Sequence, residues 1–184
     1  MVGLNFYAPS VRFILPDTDE RIFDAFNDDV KRVGVFVNED FDHILTLSSK
    51  YKLDYIQLHG DEDESFCKKI SVHLPVIKVF RVDDSFDFSE TEEFHSAEMF
   101  LFDTKTKKYG GSGKQFDWSI LDNYKGQKPF LLSGGIGPGD EESILGINHI
   151  KFAGIDINSK FESSPGVKDE TLILPFLKQL ENKR

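Results

Sequence analysis

The chain has 184 residues, 39% of them hydrophobic, which suits one domain over residues 1–184 with a substantial core. Acidic residues outnumber basic ones by 32 to 22, and a net charge of −10 argues against a nucleic-acid-binding surface. No apolar run approaches the ~20 residues of a membrane helix. The N-terminus lacks the basic region of a signal peptide, and the single cysteine, Cys67, cannot form an internal disulfide. We therefore predict a cytoplasmic protein with no nucleic-acid or membrane partner.

Short apolar runs alternate with amphipathic segments along the chain. The runs predict seven strands, at residues 2–6, 32–37, 55–60, 76–80, 99–103, 130–135 and 153–158. The segments between them predict helices at 40–51, 64–74, 141–147 and 169–182, with a poorly patterned candidate at 85–95. Nearly continuous apolar strands are typical of a parallel sheet that is buried on both faces. The predicted fold class is therefore α/β, with right-handed crossovers between parallel strands.

Polar residues recur at the carboxyl ends of the predicted strands. They are His59 and Gly60, Asp103 and Thr104, Ser133 to Gly135, and Asp156 to Ser159. In parallel α/β folds these ends form the working face. A (βα)8 barrel needs eight strands, one more than the apolar runs supply, and no spare run remains.

The strand that ends in Asp103 is followed by the segment GGSGKQFDW, residues 110–118. A carboxylate at a buried strand end is partly desolvated, which raises its pKa and suits a general acid. The alternative interpretation is that Asp103 only accepts hydrogen bonds from the loop that follows it. The glycines match neither the phosphate-loop motif nor the dinucleotide motif, so they form either a ligand-binding loop or a surface loop. Their position after Asp103 favours the ligand-binding loop.

The loops after the last two predicted strands favour a phosphate site. Glycine at 134 and 135 lets backbone N–H groups point at an anion. The loop that contains Asp156, Asn158 and Ser159 follows the next strand. These two loops form the common phosphate site of (βα)8 barrels, so phosphate binding is favoured over tight turns alone.

Other side chains carry weaker signals. Arg12, just beyond the first strand, could clamp a carboxylate in a bidentate manner or be one more solvated arginine. The five histidines have no metal-site spacing, so no metal is predicted, and only His59 lies at a strand end. Cys67, beside Phe66 on a predicted helix, is expected to be inert packing.

Taken together, these motifs resemble the phosphoribosylanthranilate isomerase family of tryptophan biosynthesis. The matching segments run in order over essentially the whole chain and are GLNFYAPSVRFI, VGVFVNE, IQLHGDE, LFDTKTKKYGGSGKQFDWS, LLSGGIGP and GIDINSKFESSPGVKD. The resemblance implies a (βα)8 TIM barrel. It also implies a cofactor-free Amadori rearrangement of N-(5-phosphoribosyl)anthranilate to the ring-opened 1-deoxyribulose form.

The resemblance further implies roles for individual residues. Asp103 would be the general acid that protonates the furanose ring oxygen, and a general base would then remove the C2′ proton. Arg12 would face the anthranilate carboxylate. The remaining implied contacts are His59, Gly111 and Gly113 for the substrate, and Gly134, Gly135, Asp156, Asn158 and Ser159 for the phosphate.

The chain departs from the family pattern in two places. The last loop reads Asn158-Ser159-Lys160 instead of a Ser-Ser-Gly-like sequence, which leaves the backbone N–H groups in place. The family's general base is a cysteine in a Lys-Ile-Cys-Gly-like motif at the end of its first strand, and Cys67 does not match it. We therefore expect an N-terminally incomplete barrel of seven βα units that is inactive and self-associates through open sheet edges. The alternative is a non-catalytic phosphosugar-binding remnant, whereas indole-glycerol-phosphate synthesis is disfavoured because its catalytic lysines have no counterpart.

Overall fold

The fold is a parallel sheet with helices between its strands. The structure is a computed structural model, and it describes residues 1–15, 17–19, 21, 23, 26–27, 29–105 and 115–182. Seven strands, β1 to β7, follow one another in the sheet in chain order, and every described register between neighbours is parallel. They are Val2–Asn5, Arg32–Phe36, Tyr55–Leu58, Val76–Val82, Met99–Thr104, Phe130–Leu132 and Phe152–Ile155. The predicted α/β class and its seven parallel strands are confirmed.

Four α-helices lie between or after these strands, and short elements complete the described chain. The helices α1 to α4 are Phe41–Tyr51, Glu64–Ser71, Glu141–Leu145 and Glu170–Asn182. The weakly patterned helix predicted at 85–95 is a 3-10 helix at Phe88–Glu93, and further 3-10 helices are Trp118–Asn123 and Ser159–Phe161. An unpredicted antiparallel hairpin joins β8, Glu162–Ser164, to β9, Val167–Lys168. None of the described helices is both long and apolar enough to cross a membrane.

Aspartate caps explain where two of the helices begin. The Asp40 carboxylate accepts hydrogen bonds from the backbone N–H groups of Asp42 and His43 at the start of α1. The Asp63 carboxylate accepts one from the N–H of Phe66 at the start of α2. Each bond satisfies a backbone donor that has no partner within the first helical turn.

Three strands end two or three residues before the predicted positions. β3 ends at Leu58, β6 at Leu132 and β7 at Ile155. Beyond β6, Gly134 and Gly135 have φ angles of 90° and 68°, which extended backbone cannot adopt. The polar residues that we predicted at these strand ends therefore lie in the loops that follow the strands.

The chain forms two compact units, and the first consists of residues 1–79 and 93–99. It contains β1 to β3, the first four residues of β4, and helices α1 and α2. Phe6 stacks on Phe36 with ring centroids 5.2 Å apart, and the Tyr51 ring lies 5.0 Å from Phe6. Cys67 is fully buried in α2, as predicted for a packing residue.

The second unit consists of residues 80–92 and 100–184, and its core is strongly aromatic. Phe102 of β5 is fully buried, and its ring lies 5.2 Å from Phe88, 5.4 Å from Tyr124 and 5.1 Å from Phe130. These rings account for several of the 18 phenylalanines, which we expected to fill the core. Their packing supports the strand ends from which the site loops leave.

Candidate active site

Asp103 is the second-to-last residue of β5, in the second unit. Its side chain is half-buried, and its Oδ1 accepts a hydrogen bond from the backbone N–H of Thr104 at 2.9 Å. This bond agrees with the interpretation in which Asp103 only accepts hydrogen bonds. It also orients the carboxylate at the end of the strand, as a general acid would need. Both interpretations of Asp103 are therefore compatible with its local contacts.

The loop after β6 packs directly against the end of β5. The backbone N–H of Ser133 donates to the carbonyl of Phe102 at 2.8 Å. A Cβ atom on Gly134 would overlap Thr104 Oγ1 and would lie 2.5 Å from the Thr104 nitrogen. Only glycine fits here, because its φ is positive and its α-carbon touches the neighbouring backbone. This contact brings the glycine loop beside the strand end that carries Asp103.

The loop after β7 is tied to the same place. The backbone N–H of Asp156 donates to the Leu132 carbonyl at 2.8 Å, and Ser133 Oγ donates to Asp156 Oδ2 at 3.0 Å. The Asp156 carboxylate thus joins the two loops, and its negative charge would repel a phosphate that it touched directly. Asp156 ties the two loops together, and its predicted contact with a phosphate stays a prediction.

Asn158 and Ser159 continue this loop into the 3-10 helix Ser159–Phe161. Asn158 Oδ1 accepts a hydrogen bond from Lys168 Nζ at 2.6 Å, and Lys168 also pairs with Glu162 at 2.9 Å. The Asn158 side-chain oxygen is therefore engaged within the protein, and backbone N–H groups of this turn are one means by which it would hold an anion.

Lys160, the residue that departs from the family pattern, lies along the loop after β6. A Cβ atom on Gly137 would come within 2.5 Å of Lys160 Cδ, so the aliphatic part of the lysine crosses that glycine. The chain thus carries the aliphatic part of a lysine against the glycine loop, at a position where the family pattern has glycine. Sequence analysis noted the substitution and did not assign it a function.

Gln115 connects a third segment to this loop. Its Nε2 donates to the Gly135 carbonyl at 2.9 Å and to Asp140 Oδ2 at 2.7 Å. Asp140 Oδ2 also accepts the N–H of Gly137 at 2.7 Å and does not cap α3. Gln115, Asp140 and the nearby Trp118 line a surface cavity of about 430 Å³. Gly111 and Gly113, the predicted substrate contacts, lie outside the described residues.

A second carboxylate, Asp83, borders the end of β5. Lys105 Nζ lies 2.8 Å from Asp83 Oδ2, and Ser85 Oγ donates to Asp83 Oδ1 at 2.7 Å. The bond from Lys105, followed by the bonds from Ser85, lowers the pKa of Asp83 to about 2. The lysine two residues after Asp103 is therefore held by Asp83.

Arg12 and His59 lie in the first unit, in the loops after β1 and β3. Arg12 is half-buried, and its backbone N–H donates to Ser10 Oγ at 3.1 Å. His59 is also half-buried, its N–H donates to the Phe36 carbonyl at 2.8 Å, and its Nδ1 lies 3.1 Å from Gln57 Nε2. Each residue follows the carboxyl end of a parallel strand, as predicted.

Sequence analysis missed a buried ion pair in this unit. Lys78 of β4 and Glu62 of the loop after β3 are each 4% exposed in their side chains, and Nζ lies 3.1 Å from Oε2. Two signals pointed to it, because Glu62 belongs to IQLHGDE and Lys78 interrupts the apolar run VIKVF. In the part of the chain that the structure describes, no cluster of His, Cys, Asp or Glu could hold a metal ion.

Known proteins resemble the chain over nearly its full length. A family model described as N-(5'-phosphoribosyl)anthranilate (PRA) isomerase matches residues 3–179. An N-(5'-phosphoribosyl)anthranilate isomerase from Parabacteroides distasonis is 44% identical over 182 residues, which are 97% of this chain and 82% of the relative.

Solved structures agree with this match. The crystal structure of phosphoribosyl anthranilate isomerase from Thermotoga maritima has a TM-score of 0.86 and 37% identity, and the match covers 98% of this chain and 87% of that one. A second isomerase structure is a complex with reduced 1-(o-carboxyphenylamino)-1-deoxyribulose 5-phosphate. It has a TM-score of 0.83 and 33% identity, with 98% and 86% coverage. Parallel β/α order, the loops at the ends of β5 to β7 and these matches confirm the predicted resemblance, and the chain belongs to the N-(5'-phosphoribosyl)anthranilate isomerase family.

Proposed function

We propose that this chain binds N-(5'-phosphoribosyl)anthranilate and isomerises it in tryptophan biosynthesis. One observation carries the proposal: the glycine loop after β6 is packed against Thr104, next to Asp103, with no space for a side chain on Gly134. A phosphate held by that loop would keep its sugar close to the Asp103 carboxylate. The related isomerase solved with a carboxyphenylamino-deoxyribulose phosphate supports this substrate class.

The phosphate would be held by backbone N–H groups of two loops. Gly134 and Gly135 have positive φ angles, and backbone of this kind forms concave anion sites. Ser159 begins the 3-10 helix of the second loop. The ammonium group of Lys160, whose aliphatic part crosses Gly137, would add a cation. A phosphate dianion suits this combination of N–H groups and one ammonium group.

Asp103 would act on the sugar ring. It gives its proton to the furanose oxygen while the C1′–O bond breaks and the anilino nitrogen lone pair forms C1′=N. Loss of the C2′ proton to a base then turns this Schiff base into an enaminol, which tautomerises to the amino ketone. Arg12 would pair with the anthranilate carboxylate, and His59, Gly111 and Gly113 would contact the substrate.

Removal of the C2′ proton requires a general base, and these residues offer no cysteine for that role. Cys67 is the single cysteine and has no exposed surface, so it cannot take a proton from substrate. We therefore propose that residues 1–184 alone turn over about 100- to 10,000-fold more slowly than an enzyme with a positioned base. His59 is the first candidate to replace it.

The test compares Asp103→Asn with Asp87→Asn, the same change at an exposed aspartate of the same unit. Turnover is followed by the fluorescence of the anthranilate group, and affinity by calorimetry with the reduced deoxyribulose phosphate analogue. We expect Asp103→Asn to lower kcat by at least ~100-fold at unchanged affinity, the effect of a positioned acid, while Asp87→Asn changes neither. Near-normal turnover by Asp103→Asn would discard the assignment.

The burial of Cys67 also favours a second candidate, a phosphosugar-binding protein without turnover. Analogue binding without measurable isomerisation in the unsubstituted chain would favour it.

Self-association through sheet edges stays a prediction, which sedimentation at several protein concentrations tests. A cytoplasmic location is also part of the proposal, and the single cysteine supports it.

A further inference from the structure

The buried ion pair of Lys78 and Glu62 has no part in the function proposed so far. Both side chains are 4% exposed, and the pair joins β4 to the loop after β3. Removing two charges from water is costly, and an apolar pair of similar volume is often at least as stable. Stability alone therefore does not explain the ion pair, and its contacts indicate a second role.

Among the residues that the structure describes, the other hydrogen bonds of the pair go to the backbone of two neighbouring loops. Glu62 Oε1 accepts the N–H of Asn38 at 2.7 Å, and Oε2 accepts the N–H of Gly60 at 3.0 Å. Lys78 Nζ donates to the Gly60 carbonyl at 3.0 Å. Asn38 Oδ1 in turn accepts the N–H of Asp61 at 2.8 Å. The pair thus fixes both peptide groups of Gly60 and ties the loop after β2 to the loop after β3.

Packing leaves this network little room to rearrange. A Cβ atom on Gly60 would overlap Asn38 Oδ1 and would lie 2.7 Å from the Asn38 nitrogen. Asn38 itself has a left-handed φ of 51°, a conformation that is uncommon outside glycine. Lys78 Nζ also lies 5.5 Å from the centroid of the Phe94 ring, within the range of a cation–π contact.

His59 immediately precedes Gly60, so the peptide group that Glu62 holds is the one that follows the His59 α-carbon. The backbone N–H of His59 is held by the Phe36 carbonyl. Gln57 Nε2 lies 3.1 Å from His59 Nδ1, within hydrogen-bonding distance of the ring. The direction of the imidazole therefore depends on backbone that the ion pair orients.

We propose that Glu62 and Lys78 are positioning residues that hold His59 in the orientation in which its imidazole meets the substrate. This inference rests on the proposed contact between His59 and the substrate. It explains why a buried charge pair, rather than an apolar pair, occupies the base of this loop.

The first test reads the His59 ring itself. The double variant Lys78→Met/Glu62→Gln removes both charges together and so leaves no unpaired buried charge. Ile70→Val, in a fully buried position of α2, is the control for a general loss of stability. In two-dimensional NMR spectra of the full chain we expect the imidazole signals of His59 to shift in the double variant and to stay in place in the control. Unchanged His59 signals in a folded double variant would overturn the proposal.

The second test is a cycle of affinities for the reduced deoxyribulose phosphate analogue, measured by calorimetry. We expect His59→Ala and the double variant each to weaken binding by about 10-fold, within the range of coupled residues, and the triple variant to be no weaker than either. Losses that multiply in the triple variant would overturn the proposal, because the pair would then act independently of His59. Unchanged affinity in His59→Ala would also overturn it. A complete lack of binding by the unsubstituted chain would instead contradict the proposed function, while the NMR test of positioning would still apply.

Discussion

Replacing Gly134 with alanine is expected to lower the free energy of unfolding by about 2 to 6 kcal/mol and to weaken phosphate binding. The positive φ of 90° costs a residue with a side chain about 1–3 kcal/mol. The new Cβ atom would also overlap Thr104 Oγ1 and lie 2.5 Å from the Thr104 nitrogen, and relief of such overpacking costs typically 1–3 kcal/mol more.

Gly139→Ala is the matched control, because Gly139 has a φ of 97° in the same loop region but no heavy atom within 4 Å of its added Cβ. It should lose only the conformational part, about 1–3 kcal/mol. Urea unfolding of both variants measures the difference, and titration with inorganic phosphate measures the affinity. Equal losses of stability in the two variants, or full phosphate affinity in Gly134→Ala, would refute the argument that this glycine holds the loop against the end of β5.

Two further predictions concern charges near the same strand ends. Lys160→Ala should weaken inorganic phosphate binding about 3- to 10-fold at low salt, as expected for the loss of a charged hydrogen-bond donor. The control Lys178→Ala on α4 should leave the affinity unchanged. Equal affinities of the two variants in calorimetry would remove Lys160 from the site. The folded-state pKa of Asp83 is lowered to about 2, so its contribution to stability is present above the unfolded value of about 3.9 and is lost as the pH falls through the folded value. Asp83→Asn should therefore be less stable than the unsubstituted chain at pH 7, and the gap should close between about pH 4 and pH 2 in urea unfolding. A gap that does not depend on pH would contradict the ion pair.

The strands of the sheet were predictable because their apolar runs are nearly continuous. MFLFD, for example, predicts a strand at 99–103, and β5 is Met99–Thr104. The end of β6 was not predictable to the residue, because the positive φ of Gly134 goes with its close contact with Thr104, a residue of the neighbouring strand. The hairpin of β8 and β9 was missed since its two short strands are largely exposed and contain no apolar run.

The parts of the candidate site that directly follow strands were predictable from the sequence. The contacts between residues far apart in the sequence were not. Predicting that the loops after β6 and β7 are neighbours required only strand order. Glu62 and Lys78 are 16 positions apart, and their pairing depends on how β3 and β4 lie side by side. Gln115 is joined to Gly135 across 20 positions, which no local pattern indicates.

The most direct test of the central claim is a titration of the ¹⁵N-labelled chain with the reduced 1-(o-carboxyphenylamino)-1-deoxyribulose 5-phosphate analogue, because binding of the analogue involves no proton transfer. We expect saturable binding that inorganic phosphate competes away, with the first amide shifts at Gly134, Gly135 and Ser159. No binding, or shifts centred on Lys105 with the glycine loop unaffected, would contradict the claim that this chain holds the phosphosugar of the isomerase reaction at the ends of β5 to β7.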